Sequence, residues 1–203
     1  MTLRRIAAAL AIASAFIATP AAAQATLSAD QLAQSLVGLE EAPVQVSAAA
    51  LRQAALQNIR SHTFHDPRGR PPLSEQLTRL AQITVTIQFD FNSARIRPQS
   101  FRTVAVIADA LHDPQLIGYK FLIVGHADAV GDRERNLHLS QQRADAIREA
   151  LINPFGINPS RLEAVGLGEE QLLDAANPTA AKNRRVQVIN IGRMPQRVSG
   201  TAN

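Results

Sequence analysis

Phe121-Leu122-Ile123-Val124-Gly125-His126-Ala127-Asp128 is the stretch on which the reading of the whole chain turns. Four consecutive apolar residues, Phe121 to Val124, suit a central strand covered on both faces. Asp128 then falls at the carboxyl end of that strand, where open α/β sheets place their ligand crevice. A loop follows, and Asn136-Leu137-His138-Leu139-Ser140-Gln141-Gln142-Arg143-Ala144 leads into a helix. Ser140 is a good N-cap, which puts Arg143 in the first turn as the third helical residue.

Arg143 is the odd feature of that helix. Four, seven and eight residues on stand Ile147, Ala150 and Leu151, so the arginine lies along the inward, apolar stripe. A guanidinium there stays charged and needs a partner. Asp128 is the nearest candidate in sequence. An acid at a strand end and an arginine on the next helix can cradle a zwitterion, the acid taking an ammonium and the arginine a carboxylate. Two plainer readings stand beside this one: Asp128 as a loop cap, and Asp128 with Arg143 as a purely structural pair. Desolvation cancels much of the attraction in such a pair, which favours a ligand.

Working outward, Ile83, Val85, Ile87, Phe89 and Phe91 alternate with Thr84, Thr86, Gln88 and Asp90, which predicts a strand over 83–91. Pro98 suits the first turn of a helix whose apolar face is Phe101, Val104, Ala105, Ala108 and Leu111, ended by Asp113-Pro114. Asn153-Pro154 and Gly156 stop the Arg143 helix. Leu162 to Leu167 and Val186 to Ile191 read as two more strands, with a loop over 168–181. The order β-α-β-α-β-β implies an α/β fold, a compact mixed sheet with helices on one face.

These motifs carry a resemblance. Gly125-His126-Ala127-Asp128, Gly131, Asn136, Leu139-Ser140 and Arg143-Ala144 resemble the signature of the OmpA-like C-terminal domain. Phe89-Asp90-Phe91-Asn92-Ser93-Ala94 and Asn183-Arg184-Arg185-Val186 resemble its flanking motifs. The resemblance covers roughly residues 82–192. It implies binding of peptidoglycan through the ammonium and carboxylate of diaminopimelate, with Asp128 and Arg143 in the binding positions. It further implies that Asn136 lines the pocket, that Asp90 sits at its rim and that Arg184 faces the ligand, while Arg185 is a solvated or a structural charge. Ala127 and Ala181-Lys182-Asn183-Arg184-Arg185 resemble the peptidoglycan-associated lipoprotein branch.

Residues 1–23 read as a secretory signal peptide: Arg4 and Arg5, an apolar run from Ile6 to Ile17 too short to span a bilayer, and Ala21-Ala22-Ala23 as the cleavage site. Its removal takes two arginines and no acids, lowering the formal charge from +4 to +2. The remaining basic residues are scattered, so no nucleic-acid partner is expected. The chain has no cysteine, which excludes disulfides and lipid attachment at a cysteine. The expected product is a soluble protein of the periplasm of a Gram-negative bacterium, with association to the outer membrane left open. Residues 24–81 form an appendage. Ser28-Ala29-Asp30-Gln31 is a capping-box pattern opening a short helix, and Ser47 to Ile59 is a second helix. His62 to Pro72 is a linker, and Leu73 to Leu80 a further turn or two of helix. The appendage packs on the domain, docks an envelope partner or stays mobile; the residues do not choose among these, nor do they decide whether the chain forms a homo-oligomer. Residues 193–203 read as a disordered tail.

Other chemistries find less support. His126-x-Asp128 and His62 with His65 are pairs, whereas a structural metal site wants about four ligands. Asp90 and Asp128 could flank a glycosidic bond, but neither has an evident reason to hold a proton. There is no Gly-x-Ser-x-Gly elbow and no cysteine nucleophile. No catalytic residue and no cofactor are therefore assigned. An interaction subunit with a vestigial pocket is the other reading that the appendage allows.

Overall fold

The structure, a computed structural model, describes residues 28–37, 46–61 and 77–194. The signal peptide, the His62 to Pro72 linker and most of the tail lie outside them. The described chain runs α1 (Ala29–Leu36), α2 (Ala48–Arg60), β1 (Gln82–Val85), α3 (Phe101–Leu111), β2 (Tyr119–His126), α4 (Arg133–Ile152), β3 (Leu162–Gly168) and β4 (Val186–Arg193). Single turns of 3₁₀ helix at Pro98–Ser100, Pro159–Arg161 and Ala181–Asn183 precede α3, β3 and β4.

The four strands form one mixed sheet in the order β1-β4-β2-β3. β2 pairs parallel with β3 and antiparallel with β4, so the apolar run at 121–124 is central, and all four residues are fully buried. Phe121 and Ile123 face α3 and α4, packing with Val104, Ile107, Leu111, Ala144, Ile147 and Leu151. Leu122 and Val124 face the other way, towards Val46, Leu51 and Ala55 of the α2 region and Leu77. α3 and α4 thus pack on one face, and the α2 part of the appendage covers the other. α1 joins the first face through Leu32 and Leu36, held by its reciprocal Ser28/Gln31 capping box.

Specific bonds fasten the appendage to the sheet. The Ala48 N–H donates to Glu163 Oε2 at 3.0 Å, and Lys120 holds the other oxygen of Glu163 at 2.7 Å. Asn190 Nδ2 donates to the Leu36 carbonyl at 2.8 Å, a buried bond. Arg52 Nη1 reaches Gln141 Oε1 on α4 at 2.8 Å. Each buried leucine-sized side chain in this layer contributes on the order of 1.5–3 kcal/mol. Among the described residues, no helix is long and apolar enough to cross a membrane.

Two expectations are corrected. The strand predicted over 83–91 is paired only over Gln82–Val85, because its partner β4 begins at Val186, opposite Val85. With nothing opposite, the chain doubles back on itself: Phe89 bridges Ile96, and the Asp90 N–H donates to the Arg95 carbonyl at 3.0 Å. Alternation persists as far as the buried Ile87, but Phe91 is 95% exposed rather than in the core. Phe101 likewise stays 44% exposed.

The second correction concerns α4. It starts at Arg133, capped by Asp132, whose side chain accepts the Arg135 N–H at 2.8 Å. Arg143 is therefore in mid-helix. The Ser140 hydroxyl is buried, donating to the Leu137 carbonyl and accepting the Gly168 N–H at 2.8 Å, so its hydrogen-bonding capacity goes to the sheet and not to a cap. Gly125 and Gly166 permit this contact: a Cβ on either would run into the α4 backbone at Ser140 and Gln141. At the far end β4 continues to Arg193, two residues past the predicted strand.

A carboxylate and guanidinium site at the end of the central strand

Beyond His126 the chain leaves the sheet under close control. The Ala127 N–H donates to the Gly168 carbonyl at 2.8 Å, and the Ala129 N–H to the Pro178 carbonyl at 3.0 Å. Gly131 takes a left-handed φ of 93°, turning the loop into the Asp132 cap. Asn136, in the first turns of α4, fastens the loop from below. Its Nδ2 donates to the Asp128 carbonyl at 3.1 Å, the Val130 carbonyl at 3.1 Å and Glu169 Oε2 at 2.7 Å. Glu170, next to Glu169, accepts a two-pronged contact from Arg133 at 2.6 and 2.7 Å. The loop that carries Asp128 is thereby held by the fold itself.

The Asp128 side chain is only 10% exposed. One oxygen accepts the Val130 N–H at 3.3 Å, and the other pairs with Arg184 Nη1. Arg184 leads out of the Ala181–Asn183 turn, and its side chain is half exposed. That turn is pinned by Asn183, fully buried, which donates to three carbonyls and accepts the Asp174 N–H. Lys182 pairs with Asp174 at 2.7 Å and, with Asn177, holds that carboxyl at about 2.

Arg143 is half-buried. Its Nε donates to the Ser93 carbonyl at 3.0 Å, and its guanidinium lies 5.0 Å from the centre of the Phe89 ring. Burial lowers its pKa, the Arg184 charge lowers it further and Asp128 opposes that. It makes no hydrogen bond to Asp128, so the expected direct pair is replaced by Asp128 with Arg184. The reason is the helix start. A guanidinium from mid-helix lies beside the 89–93 turn, and the Ser93 carbonyl takes its Nε. Among the described residues its two terminal amino groups have no hydrogen-bond partner.

Asp90 sits on the same turn as Ser93, paired with Arg97 at 3.3 Å and more loosely with Arg95 at 4.0 Å. Arg185 turns inward: it is buried, donates to the Asn183 and Gln171 carbonyls, and desolvation brings its pKa to about 10. It is the structural charge of the two arginines. His126 is buried beneath the strand end with Nε2 2.6 Å from Gln187 Oε1, and burial keeps its pKa well below the ordinary value. Among the described residues no three metal-ligating side chains cluster. The residues that sequence reasoning missed are Ser93 and Phe89 as the seat of Arg143, and Glu169 as the anchor of Asn136. The first pair lay in a quoted motif; Glu169 carried no signal.

One carboxylate and two guanidiniums thus lie close together at the carboxyl end of the parallel β2/β3 pair, charges that can pair with an ammonium and a carboxylate. Residues 88–185 match the sequence model of the OmpA family. The peptidoglycan-associated lipoprotein of Pseudomonas putida is 34% identical over 118 residues, covering 57% of this chain and 68% of that protein. Outer membrane porin F of Pseudomonas aeruginosa is 33% identical over 125 residues, covering 60% of this chain and 34% of the porin. The crystal structure of the peptidoglycan-associated lipoprotein from Burkholderia pseudomallei shows 32% identity over 62% of this chain and 97% of that one, with a TM-score of 0.42. The chain belongs to the OmpA family. It spans about a third of the length of porin F.

Proposed function

We propose that this chain binds peptidoglycan non-covalently in the periplasm, through the diaminopimelate of the peptide stem, and so helps to tie the cell envelope together. One observation carries the reading. Arg143 is held in place by Ser93 and Phe89, yet its terminal amino groups have no acceptor among the described residues, and Asp128 lies within its electrostatic reach. A ligand carboxylate completes that fork in a charge-assisted pair of roughly 1.5–3 kcal/mol. The ligand ammonium sits on Asp128. Arg184, half exposed, holds Asp128 before binding and shares it afterwards. Asn136 keeps the loop in position and Asp90 completes the rim. The names of the peptidoglycan-associated relatives support peptidoglycan as the polymer bound.

No bond is made or broken in this reading. Asp90 and Asp128 each already accept a hydrogen bond from a guanidinium. The binding module is residues 82–192, exported by the leader at 1–23. A single site of this kind has a Kd on the order of micromolar to millimolar, and the polymer's many stems raise retention if several copies act together.

The test is co-sedimentation of the mature chain with purified sacculi of diaminopimelate type and of lysine type. The expected result is pelleting of wild type with the diaminopimelate wall alone, and loss of pelleting in folded Arg143→Ala. Failure of the folded wild type to pellet with either wall would overturn the reading and leave an interaction subunit acting through residues 26–81.

A further inference from the structure

The two edges of the sheet end differently. β3 forms one edge, and the backbone groups on its outer side are those of Leu162, Ala164, Gly166 and Gly168. Side chains of α4 take them up. Arg148 Nε donates to the Leu162 carbonyl at 2.9 Å, and Gln141 bonds the Ala164 carbonyl at 3.3 Å and the Gly166 N–H at 2.8 Å. The Ser140 hydroxyl accepts the Gly168 N–H at 2.8 Å. With these groups engaged, the β3 edge has little to offer a further strand.

β1 forms the other edge. Its odd-numbered residues turn their backbone groups towards β4: the Asn190 N–H donates to the Ala81 carbonyl at 2.9 Å, and Ile83 stands opposite Val188 in the same phase. The even-numbered residues therefore point outward. At Gln88 and Asp90 the returning chain covers them. The Ser100 hydroxyl accepts the Gln88 N–H, the Gln88 carbonyl accepts the Arg97 N–H, and the Asp90 N–H donates to the Arg95 carbonyl. At Gln82, Thr84 and Thr86 no strand stands opposite among the described residues, and Thr84 and Thr86 are exposed. We infer that this open edge pairs antiparallel with β1 of a second copy of the chain, centred on Thr84.

The segment fits itself. Four of the residues over 82–86, Ile83, Thr84, Val85 and Thr86, are β-branched, and none of the five is charged, proline or glycine, the usual guards of an open edge. Centred on Thr84, the outward groups of Gln82, Thr84 and Thr86 meet those of the partner's Thr86, the partner's Thr84 and the partner's Gln82, each pair exchanging both of its bonds. The side chains meet as uncharged hydrogen-bonding pairs. A two-fold pairing uses both open edges at once, whereas a foreign strand would leave its own far edge open. The joined sheet is then bounded at both ends by a covered β3 edge. Five paired residues bury less than the roughly 1,200 Å² of a stable interface, so the pairing is weak, with a Kd on the order of 0.1 mM. About five strand spacings of roughly 4.8 Å separate the two central strands, and their carboxyl ends face opposite ways. The inference does not depend on which ligand those ends bind.

The experiment is sedimentation equilibrium of the full mature chain from about 10 μM to about 1 mM, a range that brackets the expected Kd. The mass of wild type should rise towards twice the monomer value. Thr84→Lys sets two ammonium groups face to face and should move the transition at least tenfold higher in concentration, with the melting temperature unchanged. Thr84→Cys introduces a thiol into a chain that has none. Its two Cα atoms would lie roughly 5.5 Å apart across the two-fold axis, within disulfide reach, so mild oxidation should link it at least tenfold faster than Thr179→Cys, an exposed position away from β1. The cysteine variant keeps the test open should Thr84→Lys fail to fold. Wild type that stays monomeric at 1 mM overturns the inference. So does a dimer that folded Thr84→Lys leaves intact, or linkage of Thr84→Cys no faster than of Thr179→Cys.

Discussion

The two ends of the sheet each carry an arginine stacked on a phenylalanine, and the two are in opposite states. At the amino end of β2, Arg161 lies 5.5 Å from the Phe121 ring and donates to the carbonyls of Tyr119, Leu111 and Leu116 at 3.1, 3.0 and 2.7 Å. At the carboxyl end, Arg143 lies 5.0 Å from the Phe89 ring and donates to one carbonyl, that of Ser93. Burial lowers the pKa of both. Arg161 is used up by the fold: its donors close the α3 to β2 connection. Arg143 is anchored by one donor, and its terminal amino groups remain available. The comparison separates a guanidinium whose donors are taken up by the fold from one whose terminal donors are left over, a distinction that burial alone would miss.

The largest effect should come from the saturated end. Arg161→Ala leaves buried carbonyls without donors and should cost about 3 kcal/mol or more in unfolding free energy, measured by denaturant titration. Wall binding per folded molecule should be unchanged. Arg143→Ala should do the reverse, reducing sacculus binding at least tenfold, about 1.4 kcal/mol, while stability changes by less than about 1 kcal/mol. If thermal melting shows equal losses for the two variants, the contrast between the ends fails.

Asn136→Ala sharpens the comparison from the loop side. It removes the donor shared by the Asp128 and Val130 carbonyls and Glu169, and should cost about 1–3 kcal/mol of stability together with a several-fold loss of binding. Binding that survives intact would mean that Asp128 does not need its loop held.

The smallest effect is a pH dependence from His126. Its folded pKa lies below the ordinary 6.5, so the unfolded chain binds protons more readily. The resulting stability is fully present above about pH 6.5 and declines as pH falls, by at most about 1.4 kcal/mol per unit. Denaturation midpoints at pH 7 and pH 5 measure this, and His126→Gln should flatten the difference. Asp174 has a depressed pKa and acts much lower: its contribution is present above about pH 4 and is lost as pH falls through about 2.

Much of this was legible in the chain. The apolar run at 121–124, the Pro98 start, the Asn153-Pro154 stop and the Ser28 capping box are local signals, and local signals survive folding because they act through neighbours in sequence. Arg143 stood out because a charge on an apolar stripe violates the helical pattern. The start of α4 was misread because Ser140 and Asp132 are both competent caps, and only the incoming Gly168 N–H decided that the Ser140 hydroxyl serves the sheet. The strand at 83–91 was overextended because alternation reports which face is buried, whereas strand length depends on where the partner β4 begins.

Sequence alone therefore determined the order of elements, the central strand, the motif residues and the charge types available at its carboxyl end. Tertiary structure alone decided which charges meet. Arg184 reaches Asp128 from 56 residues away, Ser93 takes the Nε of Arg143 from 50 away, and α2 covers the second face of the sheet. Partner choice among ions and exposed faces depends on distance through space, and chain spacing carries no measure of that distance until the sheet has brought the segments together.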